Sequence, residues 1–307
     1  MKRTGNSILI IILLFLCVPL FSQVPDGYYT SANGKYGAPL KTALYHIIKD
    51  PEVVSYALLW EMFEKTDSQG DNNVWDMYSD RPTKEAMYYH DFRRSRCGSY
   101  RKEGDCYNRE HTLPRSWFQK NRLLESDLFH LYPADGVVNN RRGNLPFGEV
   151  GIILWESTNG SKVGQNTFGD YTKMVFEPID EYKGDFARTF FYLVTAYENE
   201  VVRWNSDQVG NSNYPGLSDW SLHMLLKWHR EDPVSIKEVR RNEEVYKIQG
   251  NRNPFIDYPH LVEHVWGDAK EMAFDPEECY DSFMLIECSP FERWLDQMRG
   301  YINKYTR

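Results

Sequence analysis

The chain has 307 residues, of which 41% are hydrophobic and 26% charged, and its formal net charge at pH 7 is −8. This composition excludes a disordered chain, a collagen and a small disulfide-stapled protein. It supplies enough apolar residues for one large core or two small ones. Beyond the first segment of the chain, no apolar stretch is long enough to span a bilayer, so we expect a soluble globular protein.

The N-terminus predicts a signal peptide for export. Lys2 and Arg3 precede an apolar run over residues 8–21. This order of a basic start and a short apolar run is typical of secretory signals. We assign residues 1–22 to the signal peptide, with cleavage before Gln23, and expect a secreted or periplasmic mature protein without a membrane contact. An uncleaved membrane anchor is the alternative.

The cysteines predict disulfides in the mature protein. Removal of residues 1–22 takes away two basic residues and one cysteine, which leaves a net charge of −10 and four cysteines. An even number of cysteines in an exported protein favours disulfides. Local pairing is the simplest connectivity: Cys97 with Cys106, and Cys279 with Cys288. A zinc site of four thiolates is the alternative, although the usual Cys-x-x-Cys spacing is absent.

Apolar periodicity predicts the first elements in chain order. Residues 36–65 carry helical spacing that is interrupted at Pro51, which indicates two packed helices. Alternating or short apolar runs predict strands, and a second region of helical spacing predicts two further helices. The expected strands are residues 74–78, 151–155 and 173–177. One of the two helices is expected to start near residue 185, and the other to cover about 218–229.

Capping signals predict two more helices. Ser235 and Glu238 form a capping box, and Gly250 provides the end of that helix. Ser289 begins a second capping box, with proline at the first helical position. We therefore expect an α+β fold, mainly helical with a small sheet. It divides into a main domain, residues 23–267, and a C-terminal helical extension, residues 268–307.

Positive charge is concentrated in residues 93–142. This segment contains 11 basic and six acidic residues, a net charge of +5, while the remainder of the chain carries −13. Nine of the 11 are arginines, whose planar guanidinium suits bidentate contact with phosphate. A protein this acidic can meet a polyanion only through such a local region. The alternative is a solvated surface with ordinary ion pairs.

Three strings within the basic segment carry a specific resemblance. They are CYNREHTLPRSW at 106–117, DLFHLYPAD at 127–135 and VNNRRGN at 138–144. They resemble the endonuclease I family of exported, non-specific nucleases, which belongs to the ββα-metal (His-Me finger) group. Similar strings at 74–79 and 249–255 extend the resemblance over roughly residues 36–262. It implies that the main domain is catalytic and carries a ββα-metal motif.

The resemblance also implies roles for single residues. His111 is expected to be the general base, Glu110 and Asn139 to hold one Mg²⁺, and Arg142 to contact the phosphate. Ca²⁺ and Mn²⁺ are expected substitutes, and the products carry 5′-phosphates. The residue types suit this chemistry, because histidine can deprotonate water near neutral pH and Mg²⁺ needs only one or two protein oxygens.

Further residues complete the expected site. Arg109, Arg115 and Arg141 are expected to bind substrate. His130 is interpreted as a partner of the metal's water ligands, with a core-facing histidine on a strand over 128–131 as the alternative. One geometric condition applies to Glu110 and its neighbour His111. Adjacent residues of a regular strand point to opposite faces, so Glu110 and His111 can face the same site only if the strand ends or bulges there.

The leading hypothesis is an exported, Mg²⁺-dependent endonuclease that cuts DNA, and RNA as a second substrate, with little sequence specificity. No recognition helix or zinc finger is apparent. We expect the protein to act as a monomer. One alternative is a catalytically weak, exported nucleic-acid-binding protein that uses the same arginine-rich surface. Another is a zinc-dependent phosphoesterase, with His90, His111 and His130 as a minor option for the metal ligands.

Overall fold

The computed structural model of the chain describes residues 24–118 and 121–277. The predicted signal peptide, the second cysteine pair at 279 and 288 and the predicted helix after Ser289 lie outside the described residues. Within the described part, no helix has both the length and the apolar character needed to cross a membrane.

Two helices open the described chain, as the periodicity predicts. Helix α1 covers Gly37–Ile48 and helix α2 covers Leu59–Thr66, with a short 3₁₀ turn at Tyr56–Leu58 between them. Leu40 and Leu44 lie one turn apart on α1, and both are fully buried. The buried faces of the two helices therefore belong to the core.

The prediction of a strand over 74–78 is wrong except at Val74. Strand β1 (Ser68–Gly70) pairs with the two-residue strand β2 (Asn73–Val74), and the chain then turns. The Asp76 carboxylate accepts hydrogen bonds from the Tyr78 amide at 2.8 Å and the Ser79 hydroxyl at 2.7 Å. Such an aspartate-centred turn competes with strand formation.

A strand pair followed directly by a helix forms the middle of the chain. Strand β3 (Tyr107–His111) runs antiparallel to β4 (Leu131–Asp135), with His111 opposite Leu131. Helix α3 (Gly136–Arg142) begins at the next residue, and the Asp135 carboxylate caps its first amides. This β-β-α arrangement places the ends of β3 and α3 beside each other.

Three further strands form a separate antiparallel sheet. Its order is β5 (Val150–Glu156), β6 (Lys162–Asn166) and β7 (Met174–Glu177). The predicted strands at 151–155 and 173–177 are confirmed as β5 and β7. The central strand β6 was not predicted because Val163 is its one large apolar residue.

The rest of the described chain is helical. Every residue of α4 after Lys183 is buried, which is typical of a helix surrounded by other elements. The capping box at Ser235 and the left-handed Gly250 at the helix end are both confirmed. The helices are α4 (Lys183–Ala196), α5 (Asp219–Glu231), α6 (Ile236–Gln249), α7 (Pro254–Asp257) and α8 (Leu261–Val265). The described part is thus α+β, as predicted, and it contains the predicted disulfide Cys97–Cys106.

Candidate active site

Strand β3 ends at His111, and both Glu110 and His111 pair regularly with β4, opposite Tyr132 and Leu131. Glu110 contacts Arg142 on α3 at 3.0 Å. The His111 ring instead approaches the carbonyl of Glu125 at 3.3 Å. The two side chains therefore leave the strand in different directions, as strand alternation requires, and no bulge in the β3–β4 pair turns them to one face.

The Glu110 carboxylate is almost fully buried. Its Oε1 accepts hydrogen bonds from the Arg142 guanidinium at 3.0 Å and from the Tyr78 hydroxyl at 2.9 Å. Burial raises the pKa of Glu110, and the charge of Arg142 partly offsets this effect. A buried carboxylate needs such partners, because an uncompensated charge away from water is costly.

Arg142 is directed into the protein and is only 1% exposed. Besides Glu110, its Nη1 donates to the His111 carbonyl at 2.8 Å and its Nη2 donates to the Thr112 carbonyl at 2.5 Å. The guanidinium carbon also lies 4.9 Å from the centre of the Phe147 ring. These contacts bind the end of β3 to α3.

The remaining predicted residues of α3 differ in exposure. Asn139 is half-buried and lies three residues before Arg142, so both occupy one face of the helix. Arg141 is exposed, and its guanidinium carbon lies 5.7 Å from the centre of the Trp155 ring on β5. Helix α3 thus directs Arg142 to Glu110 and carries an exposed cation, Arg141, beside the neighbouring sheet.

His111 has a defined tautomer in its neutral form. Its Nε2 lies 3.3 Å from the Glu125 carbonyl, which can only accept a hydrogen bond. Nε2 therefore carries the proton and Nδ1 is the proton acceptor. Burial, with a smaller contribution from His130, lowers the pKa of His111 to about 2, so the ring is neutral at pH 7.

His130 is fully buried and immediately precedes β4. Its Nε2 donates to the Leu124 carbonyl at 2.7 Å, and its ring centre lies 5.5 Å from that of His111. Burial also lowers the pKa of His130. The consecutive carbonyls of Leu124 and Glu125 therefore orient two neighbouring histidine rings.

Two of the predicted substrate-binding arginines lie beside His111. The Arg109 guanidinium carbon is 3.8 Å from the centre of the Tyr56 ring, and its Nη1 donates to the Tyr56 carbonyl at 2.8 Å. Arg115 is exposed and pairs with the Glu125 carboxylate at 2.9 Å. Tyr56 belongs to the 3₁₀ turn between α1 and α2 and carries no local motif, so its place beside His111 is not predictable from the sequence.

His90 lies in a different buried cluster. Its Nε2 is 3.3 Å from the Asp135 carboxylate, and no aromatic contact joins it to His111 or His130 among the described residues. In residues 24–118 and 121–277, no three His, Cys, Asp or Glu side chains converge in an arrangement that could hold a metal ion. The three histidines proposed as zinc ligands are therefore not brought together.

Comparison with known proteins defines the class of this protein as a nuclease. The sequence profile of the family described as Endonuclease I matches residues 36–260. The chain belongs to the endonuclease I family, as the three strings in the basic segment predict.

Individual relatives agree with this assignment. The chain is 35% identical to an extracellular ribonuclease of Bacillus amyloliquefaciens over 248 residues, which is 78% of each chain. It is 30% identical over 135 residues to an extracellular deoxyribonuclease of Aeromonas hydrophila, 44% of this chain and 50% of the relative. An endonuclease-1 of Buchnera aphidicola is 28% identical over 143 residues, 46% and 48% of the two chains. The predicted secreted or periplasmic location is confirmed.

Proposed function

We propose that the protein is an endonuclease that hydrolyses phosphodiester bonds of DNA and RNA with little sequence specificity. The observation that carries this proposal is the position of the His111 ring, whose Nε2 lies 3.3 Å from the Glu125 carbonyl, which leaves Nδ1 to accept a proton. Hydrolysis needs a base that removes a proton from water. The negative charge of a bound phosphate would raise the pKa of the adjacent ring and strengthen it as a base.

We assign Glu110 on β3 and Asn139 on α3 as the residues that would hold a single Mg²⁺. Glu110 supplies a carboxylate and Asn139 an amide oxygen, and hard oxygen donors of this kind suit Mg²⁺, with Ca²⁺ or Mn²⁺ as substitutes. When bound, the ion would act as a Lewis acid that stabilises charge on the phosphate oxygens. Glu110 has a second task in this proposal, because it is the anionic partner of Arg142.

Arg142 is assigned a positioning role. The predicted phosphate contact would require its guanidinium to leave Glu110 and the carbonyls of His111 and Thr112. By holding these atoms, Arg142 fixes the direction in which β3 ends and so the place of the His111 ring. Contact with the phosphates of the substrate falls instead to the more accessible arginines of the site, Arg109, Arg115 and Arg141.

The first test is cleavage of plasmid DNA and of an RNA transcript by residues 23–307, in Mg²⁺ and in EDTA. We expect metal-dependent cleavage that falls about 10²–10⁴-fold in His111→Ala, the range of a lost general base. His223→Ala is the matched control, because His223 is exposed on α5. Terminal labelling by a polynucleotide kinase should require prior phosphatase treatment, which identifies 5′-phosphates.

Measurements of nucleic-acid binding, zinc content and monoester hydrolysis on the same purified protein separate the alternatives. A folded wild type that binds nucleic acid in Mg²⁺ without cutting it would favour the nucleic-acid-binding protein. Bound zinc in a one-to-one ratio, together with hydrolysis of nucleotide monoesters, would favour the zinc phosphoesterase. Equal loss of activity in His111→Ala and His223→Ala would contradict the role of His111.

A further inference from the structure

Arginine and aromatic side chains alternate in a stack beside His111. The Arg109 guanidinium carbon lies between two rings, 3.8 Å from the centre of Tyr56 and 4.6 Å from that of Trp60. Arg96 lies 5.6 Å from the Trp60 ring, and Arg115 lies 5.6 Å from the Tyr56 ring. We call these five side chains the arginine–aromatic stack.

The stack borders the proposed reaction centre and is accessible. The Tyr56 and His111 rings are nearly parallel, with an interplanar angle of 21° and centres 6.1 Å apart. Tyr56 and Trp60 are half-buried, while the side chains of Arg96 and Arg115 are 35% and 57% exposed. The two outer arginines therefore form the solvent-facing ends of the stack.

The centre of the stack carries positive charge without an acidic partner. Arg96 pairs with Glu64 and Arg115 with Glu125. Within the described residues, Arg109 forms no ion pair, and its Nε lacks a hydrogen-bond partner. A half-buried cation of this kind gains from an anion that approaches the stack.

The outer contacts of the stack are looser than the inner ones. Arg109 lies within 3.8–4.6 Å of both ring centres, whereas Arg96 and Arg115 lie 5.6 Å from theirs. A nucleobase is flat, as a guanidinium is, and stacks on the same aromatic face. A base that takes the outer face of a ring would leave the displaced guanidinium free for a neighbouring phosphate.

We propose that the arginine–aromatic stack is a binding track for single-stranded polynucleotide, in which Tyr56 and Trp60 stack unpaired bases and the arginines bind the phosphates. This inference rests on the proposed nuclease function and specifies its substrate. Bases inside a duplex are already stacked and paired, so they cannot enter the track without disruption of the duplex. Unpaired RNA or DNA is therefore the preferred ligand.

The test compares ligands with the same phosphates but different bases. Fluorescence anisotropy in EDTA measures binding to an oligothymidylate of about 12 nucleotides, its abasic counterpart and the matching duplex, a length that suits single-strand sites. We expect the wild type to bind the strand with bases about 10- to 100-fold more tightly than the abasic strand. The duplex should bind less tightly than the single strand.

Variants identify which rings give the preference. Trp60→Leu should lose most of the discrimination between the two single strands, and Trp60→Phe should retain it. Trp220→Leu is the matched control, since this half-buried ring on α5 stacks on Tyr171 with centres 4.2 Å apart. Thermal unfolding checks that each variant is folded. Trp60 is chosen over Tyr56 because Tyr56 also contacts His111.

Equal affinity of the wild type for the abasic and base-containing strands would overturn the track, and that result needs no variant. If Trp60→Leu weakened the binding of the base-containing and the abasic oligonucleotide equally, that result would also overturn the proposal. Failure of the nuclease proposal appears separately, in the cleavage assay. A wild type that cuts nucleic acid but ignores bases refutes the track alone, and one that discriminates bases but cuts nothing refutes the nuclease alone.

Discussion

Arg142→Met removes the buried cation that joins β3 to α3. The guanidinium is 1% exposed and donates to Glu110 and to the carbonyls of His111 and Thr112. The variant leaves a buried carboxylate that keeps the hydrogen bond from the Tyr78 hydroxyl but loses its cation. Removal of one member of a buried pair costs about 3–5 kcal/mol. We expect this loss in the free energy of unfolding, and a decrease in Tm on the order of 10 °C.

The partner substitution shows whether the loss belongs to the pair. Glu110→Gln removes the unpaired charge and keeps the size of the side chain. The double variant Arg142→Met/Glu110→Gln should be more stable than the sum of the single effects predicts, by about 2 kcal/mol. Urea denaturation at pH 7 in EDTA measures these values without a metal ion near Glu110.

Arg230→Met is the control for this prediction. Arg230 is 44% exposed and pairs with Glu263 and Asp268, so its loss should cost at most about 1 kcal/mol. The reasoning is refuted if Arg142→Met is as stable as Arg230→Met, or if the effects at positions 110 and 142 simply add.

Two further predictions concern stability. Burial lowers the pKa of His229 to about 3, and its neutral ring accepts from Arg188 and donates to the Pro259 carbonyl. In the unfolded chain, His229 takes up a proton near pH 6.5, whereas in the folded protein it stays neutral until about pH 3. The stabilisation from the neutral ring is therefore complete above pH 6.5 and is lost progressively below it. Between pH 6.5 and 4.5, we expect the wild type to lose about 2–3 kcal/mol of its free energy of unfolding through this group. His229→Gln can make both hydrogen bonds without titrating and should avoid this loss. Parallel plots of unfolding free energy against pH for the two proteins would contradict the prediction. Replacement of Cys97 and Cys106 by serine should cost about 2–3 kcal/mol in urea denaturation, because the disulfide closes a short loop, and a cost below about 1 kcal/mol would count against that explanation.

Elements with local chemical signals were predictable from the sequence. The capping box of Ser235 and Glu238 and the left-handed Gly250 are interactions between neighbours along the chain. They mark both ends of α6 in the local sequence, although Arg188 also holds the Glu238 carboxylate. The same holds for α1 and α2, whose apolar spacing is visible in the sequence.

Elements that depend on distant partners were not predictable in the same way. Strand β6 is mainly polar and forms because β5 and β7 pair with it on both sides. Conversely, the apolar residues at 74–78 suggest a strand, but the Asp76 carboxylate folds the chain into a turn. Strand propensity depends on such context.

The candidate site shows the same division. The strings around Glu110, His111 and Arg142 identify residues for chemistry, but not the directions of their side chains. The Arg142 side chain points into the protein because its hydrogen-bond acceptors, on Glu110 and His111, lie about 30 positions earlier in the chain. Tyr56 meets Arg109 across 53 positions and belongs to no motif, so only the fold reveals it.

The carbonyls of Leu124 and Glu125 determine how the two histidine rings are oriented, and this affects which changes the protein can tolerate. A carbonyl is present whatever the side chain, so point substitutions at these positions preserve the acceptors as long as the path of the backbone is kept. In residues 24–118 and 121–277, the ion-pair partner of the Glu125 carboxylate is the exposed Arg115. An insertion or deletion between residues 121 and 126 would instead shift both carbonyls at once. In a laboratory evolution experiment, the length of this loop should therefore stay constant and the buried Leu124 should be retained, while the exposed Arg122 varies.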